Sequence, residues 1–238
     1  MTSSTPILTV EGLRCSIAGQ QVVEDVSFKV PSTGITAVLG RNGVGKTSTL
    51  RGLMGLIQRR GEIRLAGERI DGLPTYKIVQ RGVGYVPEDR EVFAKLTVAE
   101  NLALAERQKN PRREFVAELF PDLVQRRDQM AGSLSGGQQQ MVSVARALMN
   151  DNRILLVDEP TKGLAPKLVT EVADALAEAS KIVPILLVEQ NLEVVRRLAH
   201  GAIVISGGRV VHTGDATEIL DDEDLTRRLL GVHTGAAA

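Results

Sequence analysis

Apolar positions recur with two different periods along this 238-residue chain, and the switches between them divide it into elements. Over residues 7–30 apolar and polar side chains roughly alternate, with a break around Gly19, which predicts two strands joined by a turn. Residues 61–67 repeat the alternation between two glycines and suit a third strand of the same antiparallel sheet. The runs at 35–39, 83–86, 154–157 and 185–188 are instead continuously apolar, as in strands buried on both faces, and Pro87 ends the second of them. A capping box, Thr97 with Glu100, opens a helical stretch to about Met130, broken near Asn110-Pro111 and at Pro121. Helices are expected after Pro166 and from Asn191. Residues 202–205 and 209–213 read as a hairpin across Gly207-Gly208, and 221–230 as a last helix stopped by Gly231.

The predicted class is α/β: a core of strands and helices with an antiparallel β portion. One domain over 6–232 is expected, with a helical subdomain at about 93–138 inserted, and a disordered tail at 233–238.

The chemistry begins at Gly40-Arg41-Asn42-Gly43-Val44-Gly45-Lys46-Thr47, which fits the phosphate-loop spacing of Gly, four free positions and Gly-Lys-Thr. A buried strand precedes it, and apolar residues at helical spacing follow from Ser48. Glycines let several N–H groups converge on a polyphosphate, and the helix adds its positive end. Lys46 would reach the β- and γ-phosphates of ATP, and the Thr47 hydroxyl would bind Mg²⁺.

Lys plus Arg and Asp plus Glu both number 29, so no net field points to nucleic acid. The single Cys15 excludes an internal disulfide framework and fits a reducing compartment. No apolar run approaches the ~18 residues of a membrane span, so work at a membrane requires spans from another polypeptide. The N-terminal residues lack the basic-then-apolar order of a signal peptide.

A second motif, Leu134-Ser135-Gly136-Gly137-Gln138, precedes apolar residues at Met141, Val144, Ala145 and Leu148, one helix face. Ser135 with Gln138 makes another capping box, so a helix should begin at Ser135. Two glycines in its first turn are unfavourable unless something approaches the backbone closely, as a phosphate would. The apolar run 154–157 ends in Asp158-Glu159, at the strand end where ligands of open α/β sheets bind.

These three segments resemble, in order and spacing, the Walker A, signature and Walker B motifs of ATP-binding cassette (ABC) ATPases, a P-loop NTPase family with a RecA-like core. The resemblance covers residues 7–232. It implies that Asp158 holds the Mg²⁺ shell and that Glu159 is the general base for water. It also implies two cassettes head to tail, with Gly40 to Ser48 of one and Ser135, Gly136, Gly137 and Gln138 of the other enclosing each ATP.

Four positions depart from the usual cassette pattern. Glu88 stands where the family has Gln near the metal; Gln190 replaces the switch histidine beside the γ-phosphate. Ala165 replaces an aspartate, and Ile17 lies where an aromatic ring normally stacks on adenine. An amide can donate a hydrogen bond but carries no positive charge, so weaker hydrolysis by the isolated chain is expected. Residues 86–93, 96–102, 163–166 and 188–191 are similar to one importer group, the second ATPase subunit of bacterial branched-chain amino-acid importers. That likeness implies a cytoplasmic protein, peripheral on the inner face of the membrane. Its partners would be a second, distinct ATPase chain, two permeases and, indirectly, an extracytoplasmic solute-binding protein. A homodimer, a urea or short-amide importer, a non-transport ABC ATPase and a regulatory subunit without turnover stay open.

Overall fold

Both faces of the central strands are apolar, and the fold covers both. The computed structural model describes residues 5–230. Ten strands form one sheet: β1 (Leu8–Ile17), β2 (Gln20–Val30), β3 (Ile35–Leu39), β4 (Gln58–Leu65), β5 (Glu68–Arg69) and β6 (Val83–Val86), then β7 (Ile154–Asp158), β8 (Ile185–Val188), β9 (Gly201–Ser206) and β10 (Arg209–Asp215). The spatial order is β5-β4-β1-β2-β10-β9-β3-β8-β7-β6. From β9 to β6 neighbouring strands are parallel; β9–β10, β1–β2, β1–β4 and β4–β5 are antiparallel.

Among the described residues ten helices cover the sheet. Helices α1 (Lys46–Leu53) and α2 (Thr75–Gln80) come before β6. Between β6 and β7 run α3 (Val98–Ala105), α4 (Arg113–Leu119), α5 (Pro121–Gln125) and α6 (Gly136–Leu148). The rest are α7 (Pro166–Ser180), α8 (Leu192–Leu198), α9 (Ala216–Asp221) and α10 (Glu223–Leu230).

The two-residue period of a strand splits the core. Leu155 and Val157 of β7, with Ile185 and Leu187 of β8, pack toward the helices from α3 onward. Ile154, Leu156, Leu186 and Val188 face the other way, toward α1, α2 and the antiparallel strands. Cys15 lies in this second cluster, and burial pushes its thiol up to about 11, which leaves it unreactive.

The expected strands, breaks and caps are present; the short strand β5 was not expected, and three helices differ. Helix α6 starts at Gly136, with Ser135 as its cap. The short helix α2, after Pro74, was not expected. The last helix, expected over 221–230, is α10, and α9 before it was not expected: Asp222 between them is extended and its carboxylate accepts the N–H of Leu225 at 2.8 Å, so it caps α10. Gly231 and the tail from 233 lie outside the described residues.

Candidate functional site

Sheet order gathers the site. Strands β3, β8, β7 and β6 are parallel neighbours, so their carboxyl ends lie side by side. The phosphate loop follows β3, Gln190 follows β8, Asp158 and Glu159 sit at the end of β7, and Glu88 follows β6.

The phosphate loop turns into α1 at Gly45, whose φ of 103° suits glycine. A Cβ there would lie 2.7 Å from the Val22 carbonyl oxygen, so β2 also excludes a side chain. No side chain caps α1, which leaves its first N–H groups directed into the loop. Lys46 is buried, and its Nζ donates to the carbonyls of Gly40 (2.8 Å) and Arg41 (3.0 Å). Burial lowers its pKa, and the carboxylates of Glu159 and Asp158 oppose that shift.

Thr47 Oγ1 donates to Asp158 Oδ1 at 3.1 Å, which joins the loop to β7. Asp158 is fully buried, and its Oδ2 has no hydrogen-bond partner. Burial raises its pKa to about 6, with Glu159 and Glu88 adding to the rise and Thr47 opposing it. An orphaned carboxylate oxygen beside a hydroxyl suits a hard cation. Among the described residues no group of three or more His, Cys, Asp or Glu is arranged to hold a metal.

Glu159 is 7% exposed and has a positive φ of 43°, which costs a residue other than glycine about 1–2 kcal/mol. Its N–H is held by the Val188 carbonyl at 2.9 Å. Its Oε1 accepts from Gln190 Nε2, and its Oε2 lies 3.3 Å from Lys162 Nζ. Lys162 also pairs with Glu88, so one exposed ammonium answers two carboxylates. Neither Lys162 nor Glu189 stood out in the sequence; Lys162 had only its place three residues after Glu159 as a signal.

Ser135 and Gln138 form their capping box as expected, and Gln138 Nε2 also reaches Asp122 at 3.0 Å. Among the described residues no hydrogen bond joins Ser135–Gln138 to the phosphate loop. The close approach inferred at Gly136 and Gly137 is made by this chain's own side chains: Arg90 lies against Gly136 and Leu168 of α7 against Gly137. Ile17 ends β1 opposite Gln20 and is 43% exposed.

Residues 23–162 match the sequence family described as ABC transporter. The chain belongs to the ABC transporter family. It is an ABC-type transport ATPase with a P-loop ABC-ATPase fold. It is 38% identical over 218 residues to the high-affinity branched-chain amino acid transport ATP-binding protein BraG of Pseudomonas aeruginosa, covering 89% of this chain and 94% of that one. It is 35% identical over 234 residues to the lipopolysaccharide export system ATP-binding protein LptB of Haemophilus influenzae, covering 94% and 97%. A nucleotide-free ATP-binding cassette from an ABC transporter superposes with a TM-score of 0.82 over 96% of this chain and 100% of that one, at 22% identity. That last likeness concerns the fold alone. Among the described residues no helix is long and apolar enough to cross a membrane.

Proposed function

We propose that this ATPase drives import of branched-chain (hydrophobic) amino acids through separate permeases. It would act as a heterodimer with a second ATPase chain, on the inner face of the membrane, supplied by an extracytoplasmic solute-binding protein. The observation that carries the ATPase chemistry is the meeting of Lys46, Thr47, Asp158, Glu159 and Gln190 at three adjacent strand ends. The 38% identity to BraG over nearly the whole chain favours the amino-acid substrate.

Gly40, Arg41, Asn42, Gly43, Val44, Gly45 and Ser48 present backbone N–H groups to the phosphates, and Lys46 neutralises them. Ile17 gives adenine an apolar contact. Thr47 and Asp158, with Glu88, would hold Mg²⁺, which when bound supplies charge neutralisation at the β- and γ-phosphates. Glu159 accepts a proton from water as the water oxygen attacks the γ-phosphorus and the bond to the β–γ bridging oxygen breaks. Gln190 donates to Glu159 and keeps it turned toward that water. In the closed pair, Ser135, Gly136, Gly137 and Gln138 of one chain face the γ-phosphate bound by the other.

The segment after Glu88 faces the permeases in this reading, and it is fastened to two helices. Buried Asn101 of α3 exchanges hydrogen bonds with both backbone groups of Phe93 (2.9 and 3.1 Å). Arg146 of α6 donates to the Glu91 carbonyl at 2.7 Å and lies 4.8 Å from the Phe93 ring centroid. Movement of the signature helix would therefore carry this segment with it. A cleft of about 580 Å³ beside it is lined by Arg51, Arg107, Arg146, Leu56 and Leu104, and fits an amphipathic acidic segment.

The 35% identity to LptB supports a second reading, lipopolysaccharide export. Labelled leucine uptake decides between them, in host cells whose chromosomal copy carries Lys46→Ala. Loss of leucine uptake with an unrelated solute still taken up supports the amino-acid importer. Undiminished leucine uptake overturns the substrate assignment and leaves lipopolysaccharide, urea and short amides to be assayed.

A further inference from the structure

Glu189 carries a carboxylate that the reaction above does not use. It is 3% exposed, and a buried carboxylate is unfavourable unless donors surround it. Three do. One oxygen accepts the Thr161 hydroxyl at 2.7 Å; the other accepts the backbone N–H groups of Gln190 (2.8 Å) and Asn191 (3.0 Å). Thr161 is itself buried.

The placement of these groups gives the contact its meaning. Thr161 lies two residues after Glu159 on the loop leaving β7, and Glu189 lies one residue before Gln190 on the loop leaving β8. The same two loops meet a second time where Gln190 Nε2 donates to Glu159 Oε1. Glu159 sits in a left-handed backbone conformation that its surroundings must enforce. The Val188 carbonyl holds its N–H side, and Thr161 is the first side chain beyond it to make a hydrogen bond.

We propose that Glu189 is a positioning residue: through Thr161 it holds the Glu159 loop against Gln190, so that base and amide keep one relative geometry. The inference rests on the reading of Glu159 as the base. The same tie fixes the backbone of Lys162, and so reaches Glu88 through their ion pair.

The test uses the full-length purified chain, with phosphate release measured against ATP concentration, ATP affinity by equilibrium dialysis, and melting temperature. Thr161→Val keeps the side-chain shape and removes one donor. It should lower kcat about tenfold or more, since small misplacements of reacting groups are costly, while ATP affinity stays within about twofold. Thr161→Ser should recover most of the rate. Glu189→Gln should also recover it: the amide oxygen accepts both N–H groups while its NH₂ donates to a reoriented Thr161 hydroxyl. Glu189→Ala should lose as much as Thr161→Val, and the pair together no more than the worse single change.

Unchanged kcat per folded molecule in Thr161→Val would overturn the proposal. So would a loss of ATP affinity in step with kcat. Glu159→Gln, measured in parallel, separates the two readings. If it abolishes turnover while Thr161→Val does not, only the positioning role fails; if it retains turnover, the assignment of the base fails and this inference with it.

Discussion

Helices α1 and α6 both begin at glycine-rich motifs, yet their first turns are finished in opposite ways. At α1 the cap is Gly45, with no side chain to satisfy the N–H groups behind it. At α6, Ser135 Oγ accepts the Gln138 N–H at 3.3 Å, and Gln138 Oε1 accepts the Ser135 N–H at 3.1 Å. One helix end has no side-chain cap; at the other a side chain takes one N–H of the first turn. This difference fits the proposed roles, in which the phosphate loop holds ATP and the signature helix meets the nucleotide held by another chain.

The sharpest way to break this comparison is to measure ATP affinity of the isolated chain in Lys46→Ala and Ser135→Ala. Loss of the buried ammonium should weaken binding about a hundredfold, from charge-assisted contacts worth roughly 3 kcal/mol, whereas Ser135→Ala should leave affinity within about twofold. Equal losses would mean that both helix ends serve the same nucleotide.

The next effect concerns the acid beside the open end. Asp158 holds its proton to about pH 6 in the folded chain, against an ordinary value of 3.8. The folded state therefore binds the extra proton between those values, and stability falls as pH rises through 6, by roughly 3 kcal/mol in all. Asp158→Asn removes that cost. In magnesium-free buffer its melting temperature should exceed that of the parent at pH 7.5, and the gain should vanish below about pH 4. A gain of the same size at every pH would show that ionisation is not its source.

Glycine replacements sharpen the contrast further. Gly45→Ala combines a left-handed backbone with a fixed carbonyl at 2.7 Å and should cost at least about 2 kcal/mol by denaturant titration. Gly137→Ala meets the Leu168 side chain, back to its Cγ at 3.1 Å and Cβ at 3.3 Å, instead of a fixed carbonyl, and should cost less, about 1–2 kcal/mol. The smallest effect is on Ser135→Ala stability, about 1 kcal/mol for a lost cap.

Much of the site was legible because its local chemistry is written in spacing. The phosphate loop, both capping boxes and the Asp158-Glu159 pair each need only residues a few positions apart. Lys162 and Glu189 were not legible in this way. The partners of Lys162 are Glu88, 74 residues away, and Glu159; the partner of Glu189 is Thr161, 28 residues away. Helix α9 was not foreseen, and the start of α10 was placed two residues early because Asp221 and Asp222 read equally well as an acidic helix start.

What the sequence determined by itself was therefore periodic or local: strands from apolar runs, helix starts from capping residues, a phosphate loop from its glycines. The fold alone decided which loops became neighbours. Strand order β3-β8-β7-β6 does not follow chain order, because parallel strands pair through long crossovers whose partners are chosen by shared burial of both sheet faces. That choice brings Thr47 to Asp158, Gln190 to Glu159 and Glu189 to Thr161, contacts that no local pattern in the chain encodes.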